Sequence, residues 1–153
     1  MIRPEDFTHN LYLLLEETFE NHQGIYLDKN TSLFQTLETV SARQASIPVG
    51  GKCASLAAQV AHVNFYLEVL ERALVFNDTS PADWGEIWRT VEKVTPEEWE
   101  AFKNKLKLSY QRITKYLHEN ERWDEDTIGG AMALVVHTAY HLGEIRQALC
   151  TLM

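Results

Sequence analysis

Two histidines lie one helical turn apart in the sequence, and this spacing makes them the strongest candidates for a chemical role. His137 and His141 bracket the run His-Thr-Ala-Tyr-His. On a helix, residues four apart lie about 40° from each other around the axis, so both imidazoles can reach one point beside it. A metal ion needs this geometry from two histidine ligands. Both rings also fall in an apolar stripe of the predicted last helix, where an unpartnered polar ring costs free energy.

A third histidine, His62, lies on the apolar face of another predicted helix. A lone histidine there usually packs in a core with one hydrogen bond, but three inward histidines on two helices favour a metal site. Three neutral imidazoles suit a divalent transition metal and leave coordination positions open for water or substrate. We expect Zn or Ni first, with Fe, Co or Mn as alternatives. We predict that His9, His22 and His118 are ordinary surface residues.

Glu144 and Tyr66 are candidates for catalytic residues, and each has a second interpretation. Glu144 lies three residues beyond His141, where it would orient an imidazole, bind the metal or act as a base; otherwise it is a solvated residue at the edge of the stripe. Tyr66, one turn after His62, either donates a hydrogen bond into the site or packs in the core. Zinc peptidases of the His-Glu-x-x-His type are excluded, because Thr138 stands where their general base would be.

The elements that must position these residues are predicted to be helices, since no strand-like alternation of useful length occurs. Pro4 fits the first position of the first helix, which Gly24 ends or breaks. A capping box at Ser41 opens a short helical turn, and Gly129-Gly130 precedes the last helix. The other predicted helices are Thr31–Thr39, Ser55–Phe76, Thr95 to about His118 and Ala131 to about Leu152.

The helix over Ser55–Phe76 is amphipathic. Its apolar residues fall within about 40° of Leu56 around the axis; they are Val60, Val63, Leu67, Leu70 and Leu74. Its polar residues collect on the opposite side, and they are Asn64, Glu68, Glu71 and Arg72. A polar link, Asn77 to Val94, follows and carries Trp84 and Trp88, which either cover the site or pack over the end of the helices.

Length and composition predict one all-α domain spanning residues 1–153. Four substantial helices bury their apolar faces most simply as a four-helix bundle, with short extra helical turns in the linkers. The formal charge of −8 disfavours nucleic acid or an anionic membrane as partner. No signal peptide or membrane span is predicted. Cys53 and Cys150 form no CxxC pair, so we expect reduced cysteines and a cytoplasmic protein.

The sequence around these histidines resembles the DinB superfamily of metal-binding four-helix bundles, also called DinB/YfiT-like. The segments that carry the likeness are residues 57–70, around His62, and residues 129–147, around His137 and His141. The ending His-x-x-x-His-x-Gly-(Gln/Glu)-Ile is the most specific part, although Glu144 stands where the family often has glutamine. The segment from Leu33 through the Ser41 turn and the tryptophan-bearing link extend the likeness over nearly the whole chain.

The resemblance implies that His62, His137 and His141 are the metal ligands. It also implies an up-down-down-up bundle, commonly a homodimer. Some relatives transfer low-molecular-weight thiols to small electrophiles, and others look like hydrolases. We therefore expect an enzyme that activates such a thiol, or water, for attack on a small-molecule substrate. The alternatives are a metal-dependent hydrolase, a metal-bearing binding or stress-response protein without turnover, and a structural bundle whose histidines only form internal hydrogen bonds.

Overall fold

The computed structural model describes residues 1–152, and over this range the chain is helical with no strand. Seven α-helices and a single 3-10 turn at Val49–Gly51 follow one another along the chain. The helices are α1 (Pro4–Phe19), α2 (Leu33–Glu38), α3 (Ala42–Ala45), α4 (Leu56–Phe76), α5 (Glu86–Thr90), α6 (Pro96–Glu119) and α7 (Glu125–Leu149). The prediction of an all-α chain with short helices in the linkers is confirmed.

Local capping chemistry explains where several helices begin. Thr95 accepts a hydrogen bond from the Glu98 N–H while the Glu98 carboxylate accepts from the Thr95 N–H, a capping box at the start of α6. Ser41 and Gln44 make the same reciprocal contacts at α3. These starts depend on neighbouring residues alone, and both agree with the sequence prediction.

The predicted start of the last helix is wrong by six residues. Gly129 and Gly130 lie inside α7, because Asp124 caps the helix earlier through the Thr127 N–H. Gly130 has a packing role instead: a Cβ there would lie 3.0 Å from Leu70 Cδ1. Because Gly130 has no side chain, α7 can approach α4 closely two helical turns before His137.

α4 makes contacts with four of the other helices. It contacts α6 and α7 extensively and also α3 and α5, while α1 packs against α7. Stacked rings of Phe19 and Tyr110 join α1 to α6. Five residues on the inward face of α6 are buried, and Phe102 is partly buried; the five are Trp99, Leu106, Ser109, Ile113 and Leu117.

The predicted environment of Asn64, on α4, is also wrong. The amphipathic pattern predicts it on the polar side of the helix, but it is 4% exposed and lies beneath α5. The reason is that α6 and the link after α4 both pack over that side. A helical wheel shows which residues share a face, and only tertiary packing decides which faces are covered.

A buried carboxylate fixes the loop after α1. Glu17 is 0% exposed, and its two oxygens accept hydrogen bonds from the backbone N–H groups of Ile25, Tyr26 and Leu27 at 3.0 to 3.3 Å. We call this arrangement the Glu17 cage. Burial by itself would raise the pKa of Glu17, but these N–H donors outweigh it and lower the pKa.

The helices and the two cysteines bear on where the chain could function. Within residues 1–152, none of the helices combines the length and the apolar character needed to cross a membrane. Cys53 and Cys150 are both exposed and are not joined in a disulfide.

Candidate metal centre

His62 on α4 and His137 and His141 on α7 meet where these two helices pack together. Their ring centroids lie 4.5 to 5.0 Å apart. One potential ligand atom from each ring lies within 4.8 Å of the others. We call these three residues the histidine cluster. His62 and His141 are 8% and 6% exposed, and His137 is partly buried.

Hydrogen bonds set the orientation and tautomer of His141. Its Nδ1 lies 2.7 Å from Gln59 Oε1 and 2.9 Å from Glu144 Oε2. Because both oxygens are acceptors, Nδ1 carries the proton, and Nε2 keeps its lone pair. A carboxylate in this position also makes the imidazole a stronger metal ligand.

His62 and His137 are held differently, by aromatic rings. Tyr66 stacks on His137 with the centroids 3.8 Å apart and the planes 11° apart. Trp88 lies over His62 at 4.5 Å. Residues 1–152 supply no hydrogen-bond partner for the buried Nδ1 of either ring. Stacking therefore orients these two imidazoles but leaves their Nδ1 atoms without hydrogen bonds.

The two Nε2 atoms of His62 and His137 lie 3.1 Å apart. In the neutral rings one Nε2 donates to the other, which leaves one Nδ1 as an unpaired acceptor and the other as an unpaired donor. Each buried polar atom without a partner costs about 1–3 kcal/mol. Protein groups alone therefore do not satisfy this pair.

The environment keeps the cluster in the protonation state that metal binding needs. Burial is the main cause, and repulsion from His141 the second, that lowers the pKa of His62 to about 4. Burial, followed by repulsion from His141 and His62, lowers the pKa of His137 to about 3. Burial also lowers the pKa of His141, against the opposing effect of Glu144. All three rings are consequently neutral near pH 7.

The donor set fits a divalent transition metal. Two nitrogens bound tetrahedrally at about 2.0–2.1 Å from one zinc ion would lie about 3.3 Å apart, close to the 3.1 Å between the two Nε2 atoms. His141 brings a third imidazole, with its lone pair on Nε2. Three histidine nitrogens could thus hold one metal ion, and these donors do not select among Zn, Ni, Fe and Co.

The other candidate residues lie around the cluster at different distances. Glu144 contacts the His141 ring directly, and its side chain is 39% exposed. Tyr66 contacts His137 face to face, as packing and not as a hydrogen-bond donor to the rings. Trp88 covers His62, whereas Trp84 packs against Tyr66 and Phe65 one layer further out.

Sequence reasoning missed Gln59, whose side chain also holds His141. It lies three residues before His62 and so shares a side of α4 with that histidine. This spacing was a usable signal, but Gln59 reaches a ring on another helix. That contact depends on how α4 and α7 pack.

Comparisons with protein-family models, with curated proteins and with solved structures found no match to this chain.

Proposed function

We propose that this chain is a metal-dependent enzyme of the DinB-like class. His62, His137 and His141 would hold one divalent transition metal, Zn or Ni first. A low-molecular-weight thiol or water activated there would attack a small electrophilic molecule. The observation that carries the proposal is the convergence of three neutral imidazoles where α4 and α7 pack, with the Nε2 atoms of His62 and His137 3.1 Å apart.

The proposal includes the arrangement of the helices. α1, α4, α6 and α7 would form an up-down-down-up four-helix bundle, with α2, α3 and α5 as additions in the linkers. In support, α4 contacts both α6 and α7, α1 contacts α7, and the Tyr12 hydroxyl donates to the Leu117 carbonyl at 2.9 Å between α1 and α6. Two bundle helices then supply all the proposed ligands.

The chemistry divides between the metal and the protein. When bound, a divalent metal acts as a Lewis acid that lowers the pKa of an adjacent thiol or water. The protein supplies the neutral donors and holds His141 through Glu144 and Gln59. The indole of Trp88 excludes water from one side of His62.

Two cavities lie beside residues that neighbour or contact the histidine cluster, although no histidine of the cluster lines either of them. One, of about 570 Å³, is lined by Trp88 and by Ala58, one turn before His62. The other, of about 550 Å³, is lined by Gln59 and Glu144, which hold His141. Both volumes lie in the range of sites for small organic ligands.

Metal content tests the ligand set. The protein, purified without an affinity tag from cells supplied with Zn and Ni, should carry one metal ion per chain by elemental analysis. His62→Ala and His137→Ala should each lose it, whereas the exposed His9→Ala is the matched control and should keep it. Metal-free wild-type protein that takes up no stoichiometric ion on titration would exclude the metal centre.

Turnover separates the enzyme from its alternatives. Metal-loaded protein should speed the reaction of a cellular thiol such as glutathione, bacillithiol or mycothiol with monochlorobimane, which fluoresces as the thioether forms. Ester hydrolysis without any thiol would instead support the hydrolase. Metal and thiol binding with no turnover of either kind would support the non-catalytic binding protein.

We also propose a homodimer. In support, α7 exposes Met132, Val136 and Tyr140 beside an apolar groove that α7 forms with α1. Exposed apolar surface of this kind is typical of protein contacts. Sedimentation equilibrium should give twice the chain mass of 17.6 kDa, and a strict monomer at micromolar concentration would contradict the dimer.

A further inference from the structure

The segment from Asn77 to Val94 joins α4 to α6, contains α5, and lies against the histidine cluster without belonging to the core. We call it the α5 link. None of its residues is buried. Segments with few buried apolar contacts open locally at a lower free energy than the core does. The α5 link can therefore open while α4 and α7 stay folded.

Hydrogen bonds hold the two ends of the α5 link and leave its middle free. At the first end, the Arg72 side chain on α4 donates to the Ser80 carbonyl at 3.1 Å. At the other end, Ser46 Oγ accepts from the Val94 N–H at 2.9 Å. Within residues 1–152, the hydrogen bonds and the ion pair of residues 81–93 have both partners inside that stretch. The middle of the link can therefore move outwards as a unit between two fixed ends.

Two tryptophan rings of the α5 link pack around the cluster. Trp88 lies over His62 with the ring centroids 4.5 Å apart. Trp84 lies one layer further out, with its centroid 5.5 Å from that of Phe65 and 5.9 Å from that of Tyr66. Loss of one aromatic pair changes an equilibrium by about 2- to 12-fold. Contacts of this strength keep the link in place and still permit it to open.

Cavities flank α5 on two sides. One, of about 570 Å³, is lined by Trp88 and Val91, and the other, of about 270 Å³, is lined by Ile87 and Val91. No histidine of the cluster lines either cavity. Because Trp88 both lines the larger cavity and lies over His62, its indole separates that cavity from the ring. Movement of this indole would join the cavity to the cluster.

We propose that the α5 link is a lid over the histidine cluster. In the closed form Trp88 covers His62, which is 8% exposed. In the open form the link moves away between its ends at Ser80 and Val94, carries both tryptophans with it, and connects the larger cavity to the cluster. Lids of this kind admit a ligand and then exclude water around it. Their use in catalysis rests on the proposed metal function, whereas the opening is a property of the metal-free chain.

Reaction with diethyl pyrocarbonate, which modifies accessible neutral imidazoles, measures the opening in the metal-free full chain at pH 7. Mass spectrometry gives the rate for each histidine. The Nδ1 of His62 is buried, and its Nε2 faces His137 Nε2 at 3.1 Å, so this ring should react only when the cluster is uncovered. A minor open state is typically populated at about 0.1–10%. His62 should therefore react about 10- to 1,000-fold more slowly than the exposed His9 in the same sample.

Trp84→Ala distinguishes movement of the whole link from a local flip of Trp88. Trp84 does not cover His62, but it holds the same segment, so its truncation should raise the His62 rate about 2- to 12-fold. Trp88→Ala should raise that rate at least as much. The matched control is Trp123→Ala, whose ring packs on Phe7 outside the link and whose loss should leave the rate unchanged. Circular dichroism checks the folding of all three variants.

A second measurement connects the lid to the proposed metal centre. A chelator should remove Zn from the loaded Trp84→Ala protein about 2- to 12-fold faster than from wild type, with one ion per chain in both. Equal removal rates would mean that the link does not control access to the metal. If the protein takes up no metal, the proposed function fails, and the reaction rates of His62 still decide on the lid.

Four results of the histidine reaction would overturn the proposal. A His62 rate equal to that of His9 in wild type would mean that nothing covers the ring. No reaction of His62 in wild type or in either link variant would mean that the link stays closed. An unchanged rate in Trp84→Ala would mean that Trp88 moves alone. An equal rise in Trp123→Ala would assign the access to general loosening of the fold.

Discussion

The Glu17 cage and the histidine cluster both bury ionisable groups, and they differ in how those groups are satisfied. Three backbone N–H groups bind the Glu17 carboxylate, all from one neighbouring loop. The cluster leaves the Nδ1 atoms of His62 and His137 without partners. The first region uses a buried charge to hold a loop in place. The second brings three imidazole rings together, with the Nε2 atoms of His62 and His137 3.1 Å apart, where they could bind a metal ion.

The largest effect should come from metal. Saturating Zn or Ni at about a thousandfold above its dissociation constant should raise the free energy of unfolding by about 4 kcal/mol. Denaturant titrations with added metal and with chelator measure this difference. It should vanish in His137→Ala, while the Glu17 cage should respond to neither condition. If the denaturation midpoint of the wild-type protein were the same with metal and with chelator, the histidine cluster would not differ from the Glu17 cage in its response to metal.

Glu17→Gln should have the next largest effect. The amide keeps the shape of the side chain but loses the charge that three N–H groups share, and we expect a loss of about 3 kcal/mol in the free energy of unfolding. The control is Glu121→Gln, at an exposed position. Metal stoichiometry should be unchanged in both variants. A loss of metal in Glu17→Gln would show that the two regions are coupled.

Acid should diminish the contribution of Glu17. Its pKa is lower in the folded chain than in the unfolded chain, so the unfolded chain binds more protons in acid. The stabilisation is therefore present above the ordinary pKa and is lost as the pH falls through the folded value. Denaturation of wild-type and Glu17→Gln protein from pH 6 to about pH 3 should show their stabilities converging. A constant difference would contradict the role of the charge.

A smaller effect is expected from Glu144→Gln, which weakens the support of His141 without removing a ligand. Loss of such a hydrogen-bonded carboxylate typically lowers metal affinity about 10- to 100-fold. Competition with a chromophoric chelator measures the affinity. The exposed, more distant Glu125→Gln on the same helix is the control. An unchanged affinity would mean that Gln59 alone holds the ring.

The smallest effect, and the sharpest contrast, is expected from His137→Phe in the metal-free protein. Phenylalanine keeps the stack on Tyr66 and removes a buried Nδ1 for which residues 1–152 supply no partner. It also removes the Nε2 that pairs with His62 Nε2, and these two changes oppose each other. The free energy of unfolding should stay within about 1 kcal/mol of wild type, although metal binding is lost. A loss as large as that of Glu17→Gln would make the imidazole a structural residue.

Most of the helices could be predicted because their signals are local. Thr95 with Glu98 and Ser41 with Gln44 form their caps within four residues of chain. The predicted start of α7 is too late because two adjacent glycines usually indicate a break in a helix. Here Gly130 lies within the helix and accommodates Leu70 from α4. Asn64 was assigned to the wrong environment for a similar reason, because the helices beside it, α5 and α6, come later in the chain.

For the histidine cluster, the sequence alone determined which residues share a helix face: the four-residue spacing of His137 and His141 and the apolar surroundings of His62 follow from helical periodicity. Only the tertiary structure decided that the three rings meet, that Gln59 and Glu144 hold one of them, and that Tyr66 and Trp88 cover the others. Periodicity is a property of one helix. Distances between rings on different helices depend on how those helices pack, and packing is set by side chains far apart along the chain.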